Sequence, residues 1–99
     1  MSYISKVKYF DWNVAKNEAL KAERGVSFEE VILAIFDEKV LTIIYHPSQK
    51  RYPGQRLYVV ELHDYAYVVP FVEDEQKIFL KTIFPSRKYT KDFIEGEVI

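Results

Sequence analysis

The sequence predicts an α+β fold: an N-terminal strand, two helices, then an antiparallel meander of about four strands. Three observations carry this reading. A capped, helix-periodic pattern fills the stretch from Val14 to Asp37. From Lys39 onward the apolar residues follow an extended rather than a helical period. Short polar turns separate the extended runs, and short turns join strands antiparallel. Two helices that precede such a meander have to cover one of its faces, giving two layers. The other face is expected to stay at least partly open to solvent or to a partner.

Each element has its own signal. Tyr3–Phe10 is rich in aromatic and β-branched residues and reads as the first strand. Asp11 is placed to cap the next segment, Val14–Arg24, which holds mostly good helix formers. Gly25 sits where a helix ends in a left-handed residue. Ser27-Phe-Glu-Glu30 then fits a capping box, with Val26 and Val31 spaced as a hydrophobic staple. Phe28, Val31, Ile32, Ile35 and Phe36 fall on one helical face, so a second helix runs from about Phe28 to Asp37.

The strands follow. Val40–His46 is a β-branched run, and His46–Gln55 is a loop holding Pro47, Pro53 and Gly54. In Arg56–His63, the residues Arg56, Tyr58, Val60 and Leu62 alternate with Leu57, Val59, Glu61 and His63. Asp64 and Tyr65 suit a tight turn. Ala66–Val72 and Ile78–Phe84 read as the last two strands, joined by the polar turn Glu73–Gln76. Pro70 has no N–H for a ladder, which predicts a bulge or an edge position there. A short helix is expected near Thr90, within the tail Ser86–Ile99.

Composition narrows the function. The chain has 99 residues, 48% of them hydrophobic, and 14 Lys+Arg against 15 Asp+Glu. That length suits a single domain, residues 1–99, with one core. The apolar fraction argues against disorder. The absence of cysteine removes disulfides, thiol nucleophiles and Cys-ligated zinc. No cofactor motif is present, and two histidines make a full metal site unpromising, so neither a cofactor nor a metal is expected. No apolar run approaches a membrane span or an export signal, which makes cytoplasmic residence the expectation.

The near-neutral total hides a partition. Acids gather in the second helix, in the turn Glu73–Glu75 and in the tail, whereas Lys39–Val60 and Lys77–Lys91 hold bases and no acid. Lys50, Arg51, Arg56, Lys81, Arg87 and Lys88 are therefore candidates for one basic surface, with Tyr52, Tyr58 and Tyr89 among them. Cations that neutralise phosphates, interleaved with rings that stack on bases, suit single-stranded RNA. The same residues also fit solvated strand edges whose charges discourage aggregation. Glu61 and His63 share a strand face and read as a surface ion pair. His46, before Pro47, is either an ordinary loop residue or a general base.

Several segments resemble a known family. They are Phe10-Asp-Trp-Asn13, Lys16, Arg24-Gly-Val-Ser-Phe-Glu-Glu30, Arg56-Leu-Tyr-Val59 and Ser86-Arg-Lys-Tyr-Thr90. The combination is similar to the BrnT family, small toxins of bacterial type II toxin–antitoxin systems with a RelE-like ribonuclease fold. The likeness spans roughly Phe10 to Lys91. The chain departs from the family pattern at Glu23-Arg24, where the family has Lys-His, and in the loop Pro47–Gln55. The family's arginine in the last strand has no counterpart, with Lys81 nearby.

The resemblance implies a metal-independent endoribonuclease that inhibits translation. It also implies a cognate antitoxin encoded by an adjacent gene, and a higher-order complex of the two. On that reading Arg56, Arg87 and Lys88 bind phosphate and stabilise transition-state charge. Lys81 and Tyr58 are secondary candidates, and His46 or His63 moves protons. Lys50, Arg51 and Tyr89 are read as RNA contacts. A small non-catalytic protein- or RNA-binding module, or a toxin that binds but no longer cuts, is the alternative.

Overall fold

The computed structural model describes residues 8–96. The start of the expected strand Tyr3–Phe10 lies outside them. The described first strand, β1, is Tyr9–Asp11. Helix α1, Val14–Arg24, follows the expected bounds, but its cap is Asn13 and not Asp11. The Asn13 side chain accepts from the Lys16 N–H at 2.9 Å, while Asp11 accepts from the Trp12 N–H. Gly25 ends α1 at φ 69°, and its N–H donates to the Lys21 carbonyl.

Helix α2, Phe28–Phe36, begins with the full capping box. Glu30 N–H donates to Ser27 Oγ at 3.2 Å, and Ser27 N–H donates to Glu30 Oε1 at 3.1 Å. A third side chain, Asn17 of α1, joins the helices. Its Oδ1 accepts from the Phe28 N–H and its Nδ2 donates to Glu29 Oε1, both at 2.8 Å. Asn17 thus satisfies one of the orphan donors of the α2 start while almost wholly buried. Both staple residues, Val26 and Val31, are in the core.

The rest of the chain is mostly sheet. Strands β2 (Val40–Tyr45), β3 (Arg56–Leu62), β4 (Tyr65–Glu73) and β5 (Lys77–Leu80) form the antiparallel meander. The spatial order is β1-β5-β4-β3-β2, with β1 parallel to β5 and β2 at the far edge. The last strand is shorter than expected. It stops at Leu80, and a separate two-residue strand β6, Phe84–Pro85, rejoins β4 at Val68 and Tyr67.

Two local expectations are corrected. The β3–β4 turn uses His63 and Asp64, both left-handed at φ 55° and 63°, with Leu62 opposite Tyr65. This is the primed turn that matches the strand twist. Pro70 lies neither in an edge strand nor at a bulge, because the β3–β4 register runs unbroken from Arg56↔Phe71 to Leu62↔Tyr65. β5 pairs with β4 only from Phe71 onward, and β6 only at Tyr67 and Val68. The proline's missing donor faces the gap between those two strands, where its carbonyl accepts from Lys81 N–H at 2.8 Å.

One sheet face packs under α1 and α2. Leu20, Val26, Phe28, Val31 and Ala34 meet Tyr58, Val60, Leu62, Val69, Phe71, Leu80 and Ile83 there. The other face is less open than expected. Its small cluster of Leu57, Val59, Ala66 and Val68 is covered by Tyr89 and Ile94. These belong to helix α3, Arg87–Thr90, and to the π-helical turn Lys91–Glu95 that continues it. No helix among the described residues is long and apolar enough to cross a membrane.

Candidate functional site

A groove lies beside Pro70 of β4, bordered by Lys16 of α1 and by no residue of α2 or the C-terminal helix. One wall is the loop from His46 to Gln55. His46 N–H donates to the Gln55 carbonyl at 2.9 Å and closes the loop. Inside it, the Gln49 amide bridges three backbone groups: it donates to the carbonyls of His46 and Gln55 and accepts from Gly54 N–H. Gly54 sits at φ 76°, a conformation that favours glycine. Ser48 N–H donates to His46 Nδ1 at 3.0 Å, and the His46 and Tyr52 rings are 4.4 Å apart. The loop is therefore held by its own hydrogen bonds.

The opposite wall is the link between β5 and β6. Arg24, at the end of α1, donates from Nη1 to the Ile83 carbonyl at 2.5 Å and ties the link down. Between the walls is a space of about 390 Å³. Lys16 and Lys81 bring cations to it, His46 and Tyr52 bring rings, and Gln55 and Thr82 bring polar groups. Pro70 and Phe84 complete the lining. Neither Lys16 nor Lys81 has an acidic partner within ion-pair distance among the described residues. Two unneutralised ammonium groups beside an imidazole make the groove attractive to an anion.

The structure brings His46 and Lys81 together and separates them from the other candidates. Arg56 is on the helix-side face, with its guanidinium 4.9 Å over the Phe71 ring, and it is paired with Glu73. Glu73 also holds Lys8. Tyr58 is buried, stacked on Phe71 at 4.1 Å, and burial pushes its phenol above the ordinary value. Lys88 pairs with Asp92 at 3.3 Å and lies over Tyr89, whose ring packs on the sheet. Arg87 lines a second hollow with Tyr65, Thr90, Lys91 and Glu95. Lys50 and Arg51 are exposed on the loop, and the Arg51 guanidinium stands 5.9 Å from the Tyr52 ring. His63 pairs with Glu30 of α2 at 3.1 Å, where Glu61 was the expected partner.

Sequence reasoning placed Tyr52 among the rings of the basic surface but did not place Lys16, Gln55 or Thr82 in a site. The one usable signal was alternation. Gln55 precedes Arg56, so their side chains take opposite faces if the strand is extended back by one residue. Among the described residues no group of three or more His, Asp and Glu side chains is arranged to hold a metal ion. Neither protein-family profiles nor curated proteins give a match to this chain.

Proposed function

We propose that this protein is a metal-independent ribonuclease toxin that cuts RNA and inhibits translation, in the manner the BrnT resemblance implies. The observation that carries the reading is the groove where Lys16, Lys81 and His46 meet, with no acidic partner for either lysine among the described residues. RNA supplies its own nucleophile. The 2′-oxygen attacks the adjacent phosphorus, the bond from phosphorus to the 5′-oxygen breaks, and a 2′,3′-cyclic phosphate and a 5′-hydroxyl result. The 2′-hydroxyl loses one proton and the leaving oxygen gains one. Lys16 and Lys81 stabilise charge on the phosphoryl oxygens, which suits ammonium groups in a partly enclosed site. His46 is the group in the groove suited to proton transfer.

Arg87, Lys88, Lys50, Arg51 and Tyr89 then serve as strand contacts outside the groove, and Arg56 acts through its pairing with Glu73. The toxin works in the cytoplasm and is held inactive by an antitoxin from an adjacent gene, in a complex of more than one copy of each.

The test is cleavage of RNA by the purified protein in EDTA, beside Lys81→Ala, His46→Ala and Arg87→Ala. Loss of either groove residue is expected to slow cleavage by about 100-fold, the usual scale for such groups. Arg87→Ala is expected to weaken binding chiefly. An inert wild type, or equal rates in all four proteins, sinks the proposal. A second reading, a non-catalytic module, has its own observation. Among the described residues the outer edge of β2 has no paired strand, and Ile43 and Tyr45 are exposed to 49% and 68%. Growth arrest on expression, relieved by the neighbouring gene, favours the toxin over the module.

A further inference from the structure

We infer that Gln55 is the residue that reads a nucleobase in the groove, and that the base it prefers is adenine. The inference deepens the nucleic-acid reading above and rests on the groove being a nucleotide site.

Gln55 is only 7% exposed and lines the groove. Its backbone N–H and carbonyl are both consumed by the loop, the first by Tyr52 and the second by His46 and Gln49. Its side-chain amide makes no hydrogen bond to another described residue. None of its polar atoms is fully sealed off either, so the amide opens into the groove. The amide's donor and acceptor are thus left free for a ligand in the groove, in a residue that is otherwise almost wholly buried. The side-chain hydrogen bonds that shape this loop come from Gln49 and not from the Gln55 amide.

What the amide can bind follows from its chemistry. It offers an N–H donor and a carbonyl acceptor side by side. A phosphodiester presents acceptor oxygens only, so it leaves the Gln55 carbonyl unmatched. A nucleobase edge presents both kinds of group, and the pairing of glutamine with adenine N6 and N7 uses both at once. The surroundings match the rest of a nucleotide. Tyr52 is 40% exposed and offers ring surface for stacking, and Lys16 and Lys81 are placed for phosphate. Unstacked bases in single-stranded RNA are read in this way.

The experiment uses the whole chain and small probes. The 3′-monophosphates of adenosine, guanosine, cytidine and uridine are titrated against it by calorimetry, with inorganic phosphate alongside. The adenosine nucleotide is expected to bind at least tenfold tighter than the guanosine one and tighter than phosphate. Gln55→Met is expected to abolish the difference between bases while leaving phosphate affinity unchanged. Gln55→Glu, which accepts but does not donate, is expected to move the preference from adenine to guanine. This second variant settles the question if the methionine variant fails to fold. Equal binding of all four nucleotides by the wild type overturns the inference, as does a preference for adenine that survives in either variant. Selective nucleotide binding without RNA cleavage removes the ribonuclease reading and leaves this one standing. Cleavage without base selectivity does the reverse.

Discussion

Thr90 Oγ1 accepts a hydrogen bond from the buried N–H of Ala66 at 2.9 Å and donates to the Ser86 carbonyl at 2.7 Å. One hydroxyl thus fixes α3 to β4 across 24 residues of chain. Ser86 supports it by capping the helix, its Oγ accepting from Tyr89 N–H at 3.1 Å. Thr90→Val keeps the shape and removes both bonds. It leaves a buried donor on β4 without a partner, which costs about 1–3 kcal/mol. For a domain of this size that lowers Tm by roughly 4–8 °C for each kcal/mol. Thr90→Ser is expected to recover most of the loss, and thermal unfolding of the two variants checks it. Equal stability in both would mean that the hydroxyl does not hold the helix.

The same pair explains what the sequence could and could not disclose. The helices were legible because their signals are local. The Ser27–Glu30 box and Gly25 act within a few residues of where they stand, and both occur as expected. The meander was legible because alternation and turns are also local. The covering of the second sheet face was not, because it depends on Thr90 meeting Ala66. The groove was hidden for the same reason. Lys16, Gln55 and Lys81 come from a helix, a loop and a strand link, and no spacing rule relates them. Arg56 and Lys81 looked alike in sequence, and only the fold puts one over Phe71 from β3 and the other in the groove from the β5–β6 link.

Asn17 is expected to set part of the acid sensitivity. Its Nδ2 donates to Glu29, and this bond is the chief reason that the Glu29 carboxyl lies below its ordinary value of 4.5. A carboxylate with a lowered folded value stabilises the fold above its unfolded value. That contribution disappears as pH falls through the folded value. The window is therefore below about pH 4.5, and the effect is modest because Glu29 is exposed. Asn17→Ala is expected to flatten this limb of the stability profile. It also leaves the Phe28 N–H unpaired, lowering stability at neutral pH by about 1–3 kcal/mol. Urea midpoints of both proteins between pH 3 and pH 7 test this, and parallel profiles would refute the coupling to Glu29.

Two strained positions offer gains. Glu38 follows α2 at φ 60°, where Lys39 N–H reaches the Ala34 carbonyl at 2.8 Å and Glu38 N–H reaches Ile35. That is the Schellman pattern, in which glycine usually takes the left-handed residue. Asp64 is left-handed at φ 63° in the β3–β4 turn, where glycine is again favoured. Neither residue's side chain makes a hydrogen bond or ion pair among the described residues. Glu38→Gly and Asp64→Gly each remove a left-handed side-chain cost of about 1–2 kcal/mol and add about 0.5–1 kcal/mol of glycine chain entropy, so each is expected to stabilise the fold slightly. A lowered urea midpoint in either variant would contradict the argument.

Arg24 is expected to act on the groove from behind it. Its guanidinium holds the Ile83 carbonyl at 2.5 Å, and Ile83 is buried in the helix-side core only two residues after Lys81. Hydrogen bonds from a charged donor contribute about 1.5–3 kcal/mol. Arg24→Ala should therefore lower stability within that range and let the link shift. Because Lys81 rides on the link, the groove's affinity for inorganic phosphate should fall several-fold, although Arg24 itself is not among the residues lining the groove. Arg24→Lys keeps the charge but not the planar fork, and is expected to restore only part of the loss. Phosphate titrations of the three proteins, at a temperature where all are folded, separate the two effects. Unchanged phosphate affinity in Arg24→Ala, with stability reduced, would confine Arg24 to the fold and detach it from the groove.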